Sequence, residues 1–213
     1  MDEIQNGLDH LNKNINGQAD NFLDSIGVLP VTPDIFASVR GDLNVEFRLA
    51  KKDPLGNPTS GVVRVESELT VATVTEELSR DRVKALSYWN SFQYFNIWVV
   101  REMPANNVID EPGLNGYAQF PYTGSMSTDG VMIRSDRFRD GETITHEVGH
   151  WLGLCHTWDC GPVECGTDNV ADTPEDKEGT FDWDGTFPFH VGNIGIDGGC
   201  LPDSLNPAGE MYM

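Results

Sequence analysis

The chain has 213 residues, 38% of them apolar, which is enough for one globular domain with a core of its own. A formal net charge of −20 argues against nucleic acid and anionic membrane surfaces as partners, because both would repel it, and favours cations. No stretch approaches the roughly 18 apolar residues of a membrane span, so no membrane insertion is expected, and the polar start MDEIQNGLDHLNKN does not read as a secretory signal.

In chain order, Ile4, Leu8, Leu11 and Ile15 recur at helical spacing and predict an amphipathic helix over residues 2–15, with His10 off the stripe on the surface. Val45, Phe47 and Leu49 alternate with polar residues, DPLGNP turns the chain, and Val62, Val63 and Val65 continue it, the pattern of a β-hairpin. A second helix is expected from about Thr75 to Asn90, with Val83 and Leu86 inward, followed by a buried strand from Phe95 to Val100. Gly116 to Ser135 holds two short extended pieces around a turn rich in Gly, Ser and Thr, and Asp140, Glu142 and Thr143 offer acidic and capping groups for the start of another helix.

That helix carries HEVGHWLGLCH, which reads H-E-x-x-H-x-x-G-x-x-H through His146, Glu147, His150, Gly153 and His156. Histidines four apart face the same way, so both imidazoles can reach one ion at the roughly 2.0–2.1 Å that zinc requires. Gly153 can take a left-handed conformation and end the helix, which lets His156 return as third ligand. Three neutral nitrogens leave a fourth position for water, as in a catalytic site, and the carboxylate of Glu147 beside the metal is placed to act as general base. Five such positions coincide by chance in a chain of this length with a probability on the order of 10⁻⁵, so scattered surface histidines are a poor account of them.

Beyond His156 periodicity fades, and Gly, Pro, Asp and Trp dominate Trp158–Gly199, an irregular lobe that needs cross-links to hold its shape. Most of the late carboxylates read as a solvated face, and His190 as structural. There is no C-x-x-C pair among Cys155, Cys160, Cys165 and Cys200, so a structural zinc site is not expected. A bridge from Cys160 or Cys165 to Cys200 would close a loop of roughly 35–40 residues, worth about 3–4 kcal/mol in an oxidising compartment. Cys155, just before a ligand, is expected to stay a free, buried thiol.

The extended zinc motif, with NVEFRLAKKDPLGNPTSGVVRV, YFNIWVV, GYAQFP, TDGVMI and DNVADTPE, resembles the pappalysin branch of the metzincin metalloproteases. The resemblance covers most of residues 1–213. It implies a single catalytic domain of mixed α/β (α+β) class: a twisted mixed sheet with an active-site helix and a helix behind it in residues 1–153, and an irregular, incomplete lobe in 154–213. It further implies a secreted zinc endopeptidase acting on protein or peptide substrates, with an exposed edge strand near Tyr117–Phe120 that pairs with the substrate backbone, and a pro-segment inhibitor outside this chain. In DNVADTPE it implies a calcium loop, with Asp168, Asp172, Thr173 and Glu175 as candidate ligands. The chain departs from the pattern at its end: NPAGEMYM offers Met211 or Met213 but no N-x-M-D-Y, so the expectation is a chain cut just ahead of the Met-turn, lacking the floor of the site. The alternative to an enzyme is a truncated or non-catalytic zinc-binding module of a larger extracellular protein, in which Glu147 would have no task.

Overall fold

The computed structural model describes residues 2–18, 41–70, 77–103, 113–139, 141–156 and 168–170. The Cys160/Cys165–Cys200 bridge, His190 and the methionines of the last residues lie outside the described residues. The chain divides into two compact units, Met1–Gly153 and Leu154–Met213, and the helices and strands below belong to the first.

Helix α1 spans Asp2–Ile15. Its stripe is the predicted one: Leu8 and Leu11 are buried, and Ile4 and Ile15 pack against the same cluster. His10 is more engaged than its position off the stripe suggests, because its Nδ1 lies 3.3 Å from the Arg139 carbonyl where the chain approaches the last helix.

Three strands follow among the described residues: β1 (Ile97–Val100), β2 (Gly116–Ala118) and β3 (Val131–Arg134). They form a mixed sheet in the order β1-β3-β2, with β1 parallel to β3 and β2 antiparallel to it. Alternation along the strands gives the sheet two apolar faces. Val131, Ile133 and Ala118 share a cluster with α1 and with Ile144 and Val148 of helix α3 (Glu142–Trp151). Trp98, Val100 and Met132 form the other, with Val83 of helix α2 (Glu77–Ala85) and Met103. The class is mixed α/β, a sheet with helices against it.

Four details differ from expectation. The arms 45–49 and 62–65 form no ladder; only the turn is present, as a single antiparallel bridge between Lys52 and Pro58. The cause lies in α1 and the residue that follows it, which satisfy the backbone groups that a partner strand would have taken. Asn12 donates from Nδ2 to the Phe47 carbonyl (2.9 Å) and accepts from the Phe47 N–H (2.7 Å), and Asn16 does the same for Val45 (2.9 and 3.3 Å). Second, Leu86 is 42% exposed while Lys84 is buried. The helix ends at Ala85 in a tighter turn, with Leu86 N–H donating to Val83 and Ser87 N–H to Lys84, so Leu86 rotates outward. Lys84 donates instead to the Thr128 carbonyl beneath the rings of Trp98 and Tyr117, and desolvation pushes its pKa down to about 8. Third, β1 is half-buried rather than buried on both faces, since Val99 is exposed between Trp98 and Val100. Fourth, α3 starts on Gly141 with no side-chain cap, so Thr143 does not cap it, and Asp140 lies outside the described residues.

Asn12→Ala should therefore destabilise the first unit by about 1–3 kcal/mol, because it strands partly buried groups of Phe47. The denaturant midpoint should fall with an unchanged m-value, and an unmoved midpoint would remove Asn12 as the anchor of this arm.

Candidate metal centre

The entry into α3 depends on a left-handed residue: Gly141 has φ +80°, and a Cβ there would stand 2.3 Å from that of His10. Thr145 donates from Oγ1 back to the Gly141 carbonyl (2.5 Å) and accepts from Asn14 Nδ2 (3.0 Å), which ties the first turn to α1. Glu142 sits in that turn, where the helix dipole favours negative charge. Ile144 and Val148, one turn apart, are fully buried, so α3 is fixed against the sheet and α1 by its apolar side. That leaves His146 and His150 on another face of the same helix.

The helix closes at Leu152, whose N–H donates to Val148, and Gly153 then turns the chain with φ +101° while its N–H donates to His150 (2.9 Å). Trp151 anchors this end through Nε1, which donates to Asp129 Oδ1 (2.9 Å), and by a tilted ring contact with Phe95 at 4.4 Å.

The result is convergence: one ligand atom from each of His146, His150 and His156 lies within 4.8 Å of the others. The Nε2 atoms of His146 and His150 are 2.9 Å apart, with the rings nearly perpendicular at 84°. Two nitrogens at zinc distance with a tetrahedral angle between them stand about 3.3 Å apart, so a shift of a few tenths of an ångström fits the ion. Three converging imidazoles are a donor set suited to a divalent transition metal. Phe120 lies 5.0 Å from the His150 ring, a restraint on ring orientation that the sequence did not signal.

Glu147 stands outside this cluster. It is only 7% exposed, and burial pushes its carboxyl up to about 7, whereas a cation on the neighbouring imidazoles pulls the other way. Its side chain lies against β2 at Gly116, a contact invisible in the sequence, where that glycine reads only as the first residue of an extended piece.

Of the calcium candidates only Asp168 is among the described residues. Its Oδ1 accepts from the Val170 N–H (2.9 Å) across Asn169, which has φ +64°; Asp172, Thr173 and Glu175 lie outside them. Cys155 is corrected: it is not a free thiol but disulfide-bonded, to a partner outside the described residues.

Residues 77–188, more than half of the chain, match the family model Peptidase_M43, described as pregnancy-associated plasma protein-A. An extracellular metalloprotease of Colletotrichum graminicola is 41% identical over 92 residues, covering 35% of this chain and 32% of that protein. One from Arthroderma otae is 28% identical over 152 residues, covering 66% and 48%. Mature mirolysin of Tannerella forsythia, solved in complex with a cleaved peptide, superposes with a TM-score of 0.65 at 34% identity, over 84% of this chain and 66% of that one. Mirolysin in complex with compound 9 superposes equally well, at 33% identity and 86% and 69% coverage. The chain spans about a quarter to a half of the length of the curated relatives it matches. With the three histidines brought together on a metzincin fold, the chain belongs to the pregnancy-associated plasma protein-A family of metalloproteases.

Proposed function

We propose that this protein is a secreted zinc endopeptidase, with His146, His150 and His156 holding the metal and Glu147 as general base. The observation that carries the reading is the meeting of three imidazoles at the end of α3, with a buried carboxylate one residue along the same helix. Zinc held by these three neutral nitrogens would supply Lewis acidity to the peptide carbonyl and to water. The chain's own residues do the rest. The Glu147 carboxylate takes the proton of the attacking water and delivers it to the amine nitrogen as the peptide bond breaks, so hydrolysis needs no covalent acyl intermediate. β2 is the last strand of the described sheet, and a substrate laid along its outer edge gains main-chain hydrogen bonds with little demand on sequence.

Secretion is supported by the relatives named extracellular and by the bonded Cys155, since disulfides persist in oxidising compartments. Among the described residues no helix is long and apolar enough to cross a membrane. Calcium at Asp168, Asp172, Thr173 and Glu175 belongs to the same reading and rests on the resemblance of DNVADTPE.

The test is chelation followed by separate additions of metal. Removal of all metal should abolish cleavage of a casein-type substrate, and one equivalent of zinc should restore it. Millimolar calcium without zinc should raise the melting temperature and restore no cleavage. A zinc-loaded protein without turnover would favour the non-catalytic module, and a melting curve indifferent to calcium would remove the second ion.

A further inference from the structure

We propose that Gly116 is a positioning residue for the general base: the absence of a side chain on β2 sets where the Glu147 carboxylate sits. This rests on Glu147 having the role given above. A Cβ on Gly116 would stand 2.6 Å from Glu147 Cγ, 2.7 Å from Oε1 and 3.0 Å from Cδ, where ordinary contact is 3.4–4 Å. The shortfall approaches an ångström at the group that must handle the proton.

Three observations separate this from an ordinary strand glycine. The φ of Gly116 is not positive, so the backbone itself does not ask for glycine. It pairs in regular register with Ile133 of β3, so no bulge asks for it either. The atoms a Cβ would meet first belong to the flexible part of one side chain, so neither backbone has to move. Alternation along β2 completes the arrangement. Gly116 and Ala118 are the small residues turned to α3, whereas Tyr117 faces away, under the Arg80 guanidinium at 4.2 Å and Lys84 at 5.1 Å. The strand approaches the metal helix closely, and at position 116 the space left over is filled by the carboxylate arm.

Gly116→Ala should therefore fold normally, since alanine suits a strand no less well than glycine, and displace Glu147. In crystal structures of the zinc-loaded parent and variant, the Glu147 carboxylate should differ by about 1 Å while the three histidines superpose. Zinc content and melting temperature should be unchanged or, for the latter, higher. Because a misplacement of that size costs about 10²-fold, kcat should fall about 100-fold with KM within a factor of two. Glu147→Asp draws the carboxylate back by one methylene, so adding Gly116→Ala to that variant should lower kcat by less than about threefold.

An unmoved carboxylate would overturn the proposal, as would an equal loss in both backgrounds or a variant that sheds zinc or melts early. The crystallographic comparison stands whether or not the parent cleaves peptides. A moved carboxylate in a protein without turnover would sink the endopeptidase reading alone, and an unmoved one in an active protein would sink this inference alone.

Discussion

Glu147→Ala should leave about one zinc per chain and lower kcat by about 10²–10⁴-fold, the range that a general base contributes. Retention of the metal follows from geometry, because the carboxylate is not one of the three groups that converge. Retention of the fold follows from composition. Alanine is the best helix former, and the neighbours that hold α3, Ile144 and Val148, are untouched. Glu147→Gln, isosteric but unable to accept the proton, should be as inactive as alanine, which separates loss of the base from loss of packing against β2. Metal analysis and initial rates on a peptide substrate decide it. Comparable turnover by variant and parent would sink the mechanism, and loss of zinc would move Glu147 into the ligand set.

His156→Ala should have the second large effect, lowering zinc affinity well over 100-fold and turnover below detection. Removing partners that merely orient a ligand costs about 10–100-fold, so removing a ligand costs more. Two imidazoles from one helix turn would remain, too few for a catalytic set. The first unit should still fold, because the described residues of its core all come before residue 154, and far-ultraviolet circular dichroism should be nearly unchanged. Competition with a chelator of known affinity gives the number. An unchanged affinity would show that the third ligand is another residue.

The parts legible in the sequence were those with a strict period or spacing. The stripe of α1 and the histidine spacing of α3 each follow from one helix obeying its own repeat, and Gly153 from the need to leave that helix. The errors came where distant chain decided the outcome. Alternation at Val45, Phe47 and Leu49 reads as a strand, but the hydrogen bonds that would have made it one go to Asn12 and Asn16, some thirty residues away. Leu86 reads as an inward residue, yet it is Lys84 that goes in, where Trp98, Tyr117 and the Thr128 carbonyl give its ammonium group a buried place. Gly116 reads as a strand start and takes its meaning from Glu147 on a different element. At the site the meeting of three imidazoles was readable from local spacing, and what surrounds them was not.

The link between α1 and α3 also sets an order of events during synthesis. Asn14 meets Thr145 across 131 positions of sequence, and Leu8 and Leu11 share a core with Ile144 and Val148. At about 5–20 residues per second, the ribosome needs roughly 7–26 s to make the second partner after the first. For that interval the apolar stripe of α1 lacks the surface that α3 gives it, although Phe47, Leu49 and Ile97, made sooner, can already pack against it. The packing of α1 is thus completed only by the helix that carries His146 and His150. Completion of this core therefore waits until α3 has left the exit tunnel, a consequence of contacts so distant in sequence.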